Sequence, residues 1–241
     1  MTLTVAVVTV TSGRSELIKC MESIDAQTCP VDMHYIVTDA ICSFDDYQWM
    51  RKNYASDKRC FSYWDGRIGG LGLEGRRLFA AAPSLVNEDV LFMLPDDDWF
   101  KPTHVEDLMK IIEWEGCDWA YSLMSVYDKD ANFLFDDVCE CLGELHPSYN
   151  TGVGFAPTGS IAMKTNLYAN LANSYNYRGF GPDRVFYDAA KQYYPNFKSS
   201  KKHTNCFRLG GNETSSNREF FEQGNRLMLE KYNGKLPWVT Q

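Results

Sequence analysis

The sequence predicts an α/β fold: a mixed, mainly parallel sheet flanked by helices, with a smaller α+β half. In the first half, apolar strand-like runs alternate with amphipathic helical patterns, an order typical of a doubly wound parallel sheet. After Gly116 the β runs become longer, and two of them flank a turn pattern, which is typical of an α+β arrangement. The fourth apolar run ends in three consecutive aspartates, which places charge where α/β proteins bind their ligands.

The first half contains four predicted strands and four predicted helices. Residues 3–10 are apolar and β-branched, as expected for a strand covered on both faces, and apolar residues then recur at helical spacing from 17 to 24. Thr103 and Glu106 form a capping-box pattern at the start of the fourth helix. The other strands are predicted at 34–38, 60–64 and 90–94, and the other helices at 44–54 and at 74–82, where Pro83 ends the helix.

The second half is predicted to mix strands and helices. Strands at 119–127 and 133–135 flank the turn pattern Asp128-Lys129-Asp130. A helix is predicted at 183–194 and a strand at 203–209, and Ser216 with Glu219 forms a capping box for a last helix. Residues 140–160 are rich in Gly, Pro, Ser and Thr, which predicts loops around the mouth of a pocket.

The composition excludes several classes of protein. The chain has 241 residues, 44% of them hydrophobic, which suits one substantial domain or two closely packed halves. A net charge of −8 with no basic run argues against long nucleic acid as a partner. The eight scattered cysteines lack zinc-site spacing and predict reduced thiols in a cytoplasmic protein. The apolar start lacks a basic leader and no apolar stretch reaches about 18 residues, so neither a signal peptide nor a transmembrane segment is predicted.

The segment LFMLPDDDWFKP, residues 91–102, carries the strongest functional signal. Adjacent Asp side chains at the end of a buried strand repel one another unless a cation joins them. Hard oxygen ligands suit Mg²⁺ or Mn²⁺, and a metal held by one or two carboxylates keeps positions free for phosphate oxygens. The alternative is a solvated acidic turn that caps the next helix.

Four separated motifs together resemble those of family 2 GT-A glycosyltransferases. They are VAVVTVTSGRSELIKCMESIDAQTCP followed by HYIVTDA, then GLGLEGRRLFAAA, then LPDDDWFKP, and finally FGPDRVF. Their order and spacing run from Val5 to about Ser215, and together they are more specific than any one of them. The resemblance divides the chain into a nucleotide-sugar-binding half at 1–100, an acceptor-binding half at 101–215, and a C-terminal helix and tail at 216–241.

The resemblance implies an inverting transfer of sugar from a nucleotide-diphosphate donor, most simply a UDP-sugar, to a carbohydrate or other hydroxyl acceptor. It implies Mn²⁺ or Mg²⁺ as cofactor, because a Lewis acid neutralises the charge that builds on the diphosphate. Asp97 is then the lead metal ligand, Asp98 a second ligand or an outer partner, and Asp183 the general base. The nucleotide sugar is assigned to Thr9, Thr11, Asp39, Arg76 and Asp96.

The chain departs from the family pattern at two positions. Pro95 stands where the family has the first Asp of its D-x-D motif, and Gly210 where it has a late histidine after Arg208. His203 is a candidate substitute ligand, and Arg208 a candidate phosphate contact. Gly159 and Ser160 match the acceptor-side strand or form a plain tight turn.

Alternatives to these assignments therefore remain open. Asp183 caps the first turn of its helix, acts as the general base, or does both. A sugar nucleotidyltransferase would share the sheet and the acidic site, but its first loop is normally richer in glycine than Thr11-Ser12-Gly13-Arg14. Pro95 and Gly210 keep a third alternative open, a catalytically inactive binding module. The oligomeric state is left open.

Overall fold

The computed structural model describes residues 3–39, 43–63, 75–138, 156–179, 181–210 and 217–236. The strands are β1 Val5–Thr11, β2 Met33–Thr38, β3 Arg59–Ser62, β4 Val90–Met93, β5 Trp99–Phe100, β6 Trp119–Tyr127, β7 Phe133–Asp136, β8 Ile161–Lys164 and β9 Phe197–Arg208. The α-helices are α1 Leu17–Asp25, α2 Phe44–Tyr54, α3 Arg76–Ala81, α4 His104–Met109, α5 Thr165–Leu171, α6 Pro182–Tyr193 and α7 Arg218–Lys231. None of the helices in these ranges is long and apolar enough to cross a membrane.

One sheet carries all of these strands, in the order β3-β2-β1-β4-β8-β6-β9-β5, with β7 paired to β6. Strands β1 to β4 are parallel, β8 runs antiparallel between β4 and β6, and β9 is parallel to β6. The predicted mixed, mainly parallel sheet flanked by helices is therefore confirmed. Strands from the ranges 1–100 and 101–215 both contribute to it.

The alternation of side chains along β1 explains why helices cover both faces of the sheet. All seven residues of β1 are buried. Ala6, Val8 and Val10 belong to a core cluster that also contains residues of α3, α5 and α6. Val5 and Val7 belong to a second cluster with residues of α1 and α4. Each fully buried Val or Leu contributes roughly 1.5–3 kcal/mol, so these two layers fix the sheet between the helices.

The predicted hairpin is confirmed. β6 and β7 pair antiparallel, and the Asp128 carboxylate accepts hydrogen bonds from the backbone N–H of Asp130 and Asn132 at 2.9 and 2.8 Å. The predicted strand at 203–209 begins earlier, at Phe197, because β9 pairs with β6 from Trp119 onward. After Phe197 the next five residues of β9 are polar, so their hydropathy gave no strand signal.

The capping box predicted at Thr103 is wrong. The Thr103 side chain makes no cap, and the Glu106 carboxylate accepts a hydrogen bond from the Thr28 hydroxyl at 2.7 Å instead. A tertiary partner has therefore replaced the local one. The last helix is capped by Asn217, whose side chain accepts from Phe220 N at 2.9 Å, and Ser216 lies outside the described residues. Most of the predicted loop region 140–160 also lies outside them.

Candidate active site

Three parallel strands bring polar residues to one edge of the sheet. β1 ends at Thr11 and β2 at Thr38, and Asp39 follows directly. The backbone N–H of Asp39 donates to the carbonyl of Thr11 at 2.8 Å, which holds the two strand ends side by side. β4 ends at Met93 on the other side of β1, and Asp96 follows it. Ligands of α/β proteins bind at this kind of edge.

Several donors hold the carboxylate of Asp96, which is only 2% exposed. It accepts hydrogen bonds from the Thr11 hydroxyl at 2.7 Å and from Ser12 N at 3.4 Å. The Arg14 guanidinium donates to both oxygens, from Nε to Oδ2 at 3.3 Å and from Nη2 to Oδ1. Gly13, with φ +82°, permits the turn that returns Arg14 to the end of β1.

The same guanidinium also contacts Asp97. Arg14 Nη1 donates to Asp97 Oδ2 at 3.3 Å, so one cation lies between two carboxylates. Burial raises the pKa of Asp97 above its usual value, although the charge of Arg14 opposes that shift. The Arg14 side chain is 33% exposed and that of Asp96 is 3% exposed, so Arg14 covers the carboxylates on the solvent side. We call Thr11, Arg14, Asp96 and Asp97 the edge cluster.

Asp98 connects the edge cluster to the second half of the sheet. Its Oδ1 accepts a hydrogen bond from the backbone N–H of Arg208 at 2.9 Å, at the end of β9. Burial, and next the charge of Asp97, raise the pKa of Asp98 well above its usual value. The Arg208 guanidinium lies 3.6 Å from Glu16 Oε1 and 5.4 Å from the ring centroid of Trp99. The structure therefore brings Arg208 together with the aspartates.

Arg76 and Asp183 form a second polar group. Arg76 begins α3, and its Nη1 donates to the carbonyls of Tyr177 at 3.1 Å and Gly179 at 2.9 Å. Asp183 lies in the first turn of α6, where burial raises its pKa and the charges of Arg184 and Arg76 work against that shift. Asp183 Oδ1 accepts from Arg184 N at 3.0 Å, so the carboxylate also satisfies a backbone donor of the first turn.

Gly75 places this second group at the same edge of the sheet. Gly75 has φ +72°, and a Cβ built on it would lie 2.7 Å from Val10 Cγ1. A larger residue would therefore push α3 away from β1. Because Val10 directly precedes Thr11, the start of α3, with Arg76, lies beside the end of β1.

Two predicted site residues lie elsewhere. Thr9 is 0% exposed, and its hydroxyl lies 3.0 Å from His34 Nε2, below the edge cluster. His203 Nε2 lies 3.2 Å from the carbonyl of Asp137. His203 precedes Arg208 by five residues on β9, which corresponds to about 16 Å along a strand. The structure therefore does not bring His203 together with the aspartates.

The close approach expected at Gly159 is made by a protein side chain. A Cβ built on Gly159 would lie 2.8 Å from Asn205 Oδ1, so Asn205 occupies the space that a sugar was expected to approach. Ser160 and Asn205 are both 0% exposed. Gly159 is thus required for the packing of β9 against the segment before β8.

Arg14, Glu16 and Lys19, which all follow β1, were not among the predicted site residues. Arg14 and Glu16 contact site residues, and Lys19 Nζ lies 3.8 Å from the ring centroid of Trp99, directly after the aspartates. The signal was present, since a loop that follows the first parallel strand borders the ligand edge of the sheet. An arginine there, close to the aspartates that follow β4, is a candidate on charge alone.

The chemistry of the edge cluster fits a divalent cation held by few protein ligands. Within the described ranges, no three His, Cys, Asp or Glu side chains are arranged to hold a metal. Asp96 and Asp97 nevertheless converge on one cation, the guanidinium of Arg14. Mg²⁺ is commonly bound by one or two carboxylates together with substrate phosphates. The two carboxylates of Asp96 and Asp97 are a donor set of that kind.

The order of the strands and the flanking helices match a glycosyltransferase fold of the GT-A type. The solved structures that share this fold include TarS of S. aureus, with a TM-score of 0.62 and 15% sequence identity over 86% of this chain and 37% of that chain. The predicted glycosyltransferase fold is therefore confirmed. At this identity the likeness shows the fold alone, and membership of family 2 stays a prediction.

Two further TarS structures contain ligands. TarS 1-349 in complex with UDP has a TM-score of 0.61 and 15% identity over 86% of this chain and 61% of that chain. TarS 1-349 in complex with UDP-GlcNAc has a TM-score of 0.62 and 16% identity over 98% of this chain and 68% of that chain. No protein-family model and no curated protein sequence matches the chain. The similarity to TarS is therefore seen in the three-dimensional structure and not in a sequence match.

Proposed function

We propose that this protein transfers a sugar, with inversion, from a nucleotide-diphosphate donor to a hydroxyl acceptor, and that the donor is a UDP-sugar. The observation that carries the proposal is the convergence of the edge cluster and the Arg76–Asp183 group on one edge of this sheet. The TarS complexes with UDP and UDP-GlcNAc support the choice of donor. Fold likeness alone does not define a substrate, so the site chemistry has to agree with it.

The donor binds at the ends of β1, β2 and β4. Asp39 and Thr11, whose backbones are bonded at 2.8 Å, border the place for the nucleoside. Asp96 lies between this strand pair and the diphosphate, and Arg76 and Arg208 provide positive charge on the two sides. Thr9 supports the end of β1 from below, through its contact with His34.

Asp97, with Asp96 beside it, is the group that would hold Mg²⁺ or Mn²⁺. Asp98 is turned toward Arg208 N, and its raised pKa favours the neutral acid. We therefore propose that Asp98 positions the end of β9 and is not a direct metal ligand. When bound, a divalent cation supplies a Lewis acid for the diphosphate leaving group. Arg208 and Arg76 stabilise the same negative charge directly.

Asp183 is the proposed general base. A base must accept the proton of the acceptor hydroxyl while that oxygen attacks the sugar from the side opposite the diphosphate, which gives inversion. Burial raises the pKa of Asp183, which makes the carboxylate a stronger proton acceptor than an exposed aspartate. The bond from Arg184 N fixes one carboxylate oxygen and orients the other.

The proposal is tested with the Asp183→Asn variant and a matched control on the same helix, Asp188→Asn, which lies on the exposed face of α6. We expect Asp183→Asn to lower kcat for sugar release from UDP-GlcNAc by about 10²- to 10⁴-fold, because the proton acceptor is lost. UDP affinity should stay unchanged in both variants. Release of UDP, measured with a coupled assay, and UDP binding, measured by calorimetry, separate the two effects.

The other outcomes are equally informative. Absence of UDP binding with and without Mn²⁺ in the unmodified protein would contradict the proposed function. Binding of UDP-sugar without any release of sugar to water or to an acceptor would indicate a binding module. Release of pyrophosphate from a nucleoside triphosphate and a sugar phosphate would indicate a nucleotidyltransferase.

A further inference from the structure

Arg14 occupies the place between Asp96 and Asp97 that a metal ion would take. Its Nη2 and Nε contact the two oxygens of Asp96, and its Nη1 contacts Asp97 Oδ2 at 3.3 Å. These contacts join residues 82 and 83 positions apart in the chain, so they arise from the fold and not from local sequence. A second cation cannot approach both carboxylates closely while the guanidinium remains there, because like charges repel.

The two partners differ in how they are held. Asp96 also accepts hydrogen bonds from Thr11 and Ser12, and its side chain is 3% exposed. Arg14 is one-third exposed and reaches the carboxylates from the solvent side, on a long side chain. Groups other than Arg14 therefore fix the Asp96 carboxylate, and the guanidinium is the part that can leave.

We propose that Arg14 is a resident counter-cation that exchanges with the divalent metal: it neutralises Asp96 and Asp97 in the empty site and moves to the donor's diphosphate when the metal enters. The inference rests on the proposed function, since it takes the diphosphate as the second partner. Planar guanidinium groups bind phosphate oxygens through paired hydrogen bonds as readily as they bind carboxylates. The metal and the nucleotide should therefore bind cooperatively, each making room for the other.

The test measures binding of Mn²⁺ alone, by the loss of the free Mn²⁺ electron paramagnetic resonance signal, in the absence of nucleotide. We expect Arg14→Met to bind Mn²⁺ about tenfold more tightly than the unmodified protein, because the competing cation is gone. Arg14→Lys should lie between them, since an ammonium group cannot contact both carboxylates as a fork does. Arg51→Gln, which removes the same charge from the exposed face of α2, should leave Mn²⁺ affinity unchanged.

Adding UDP completes the test. In the unmodified protein UDP should tighten Mn²⁺ binding by about tenfold or more, and in Arg14→Met by clearly less, since no competing guanidinium has to be moved. Equal or weaker Mn²⁺ binding by Arg14→Met, or the same effect of UDP in both proteins, would overturn the inference. Circular dichroism checks that the variants fold, and Arg14→Lys decides the matter if Arg14→Met does not.

Failure of the proposed function gives a different result. In that case UDP binds to none of the variants and changes no Mn²⁺ affinity, whereas Arg14→Met still differs from Arg14→Lys in binding Mn²⁺ alone. Such a result would retain the counter-cation at Asp96 and Asp97 but overturn the exchange with a diphosphate.

Discussion

Two polar clusters lie two residues apart along β1, and only one of them has an excess of negative charge. The interior cluster consists of the buried residues Thr9, His34 and Arg59, together with the exposed Asp25 that pairs with Arg59. Arg59 donates to His34 Nδ1 at 3.3 Å and to Asp25 Oδ1 at 2.7 Å. On the other side of the ring, His34 Nε2 lies 3.0 Å from the Thr9 hydroxyl. In the edge cluster, the single positive charge of Arg14 faces two carboxylates, those of Asp96 and Asp97.

The difference in charge balance separates a structural cluster from a functional one. In the interior cluster burial lowers the pKa of His34 well below its usual value, so His34 is neutral and Arg59 is matched by Asp25. Nothing further is needed there. The edge cluster keeps one carboxylate in excess and lies at the end of the strand, where a cation from solution can reach it. Buried carboxylates that share a single cation in this way are typical of sites that bind a charged ligand.

The largest expected effect on stability is that of Arg14→Met measured without metal. Removing the guanidinium leaves Asp96 and Asp97 without their cation, which should lower the free energy of unfolding by about 2–3 kcal/mol, a value reduced for the partial exposure of Arg14. Mn²⁺ should restore most of this loss, because it binds the folded state alone. Urea unfolding in chelator and in excess Mn²⁺ measures both quantities. A loss that Mn²⁺ leaves unchanged would contradict the comparison.

Arg59→Met should have a somewhat smaller effect that no metal restores. Asp25 is 66% exposed and returns to water at little cost, so the loss comes from the buried partners His34 Nδ1 and Met21 O. We expect the free energy of unfolding to fall by about 2 kcal/mol. The same urea unfolding series is the measurement, and recovery of stability with Mn²⁺ would show that the interior cluster is also a cation site.

The smallest expected effect is a change in pH dependence in His34→Gln. Because the folded pKa of His34 lies below that of the unfolded chain, the unfolded state binds more protons in acid, and stability falls as the pH drops below about 6.5. Removing His34 should reduce that slope by up to about 1.4 kcal/mol per pH unit. His104, whose pKa burial lowers to about 3, keeps its own part of the slope. Urea unfolding between about pH 5 and 7 measures the difference, and an unchanged slope would mean that His34 is already protonated in the fold.

Local patterns were enough to predict the framework of the fold. The helix at 44–54 was predicted with its observed bounds, and the structure shows that the Ser43 side chain caps it by accepting from Asp46 N at 3.1 Å. The early part of β9 was missed because a polar segment becomes a strand only when a neighbour pairs with it. The capping box at Thr103 failed for a similar reason, since Thr28 provides Glu106 with a tertiary partner.

By itself, the sequence determined the alternation of strands and helices, the buried strand that ends in Asp96, Asp97 and Asp98, and therefore the edge at which a ligand site would lie. Hydropathy and helical or strand periodicity are local properties, so they can be read from the chain. Only the tertiary structure decided that Arg14 lies between Asp96 and Asp97, that Asp98 turns to Arg208, and that His203 stays away. These contacts join residues more than 60 positions apart, and packing alone sets them.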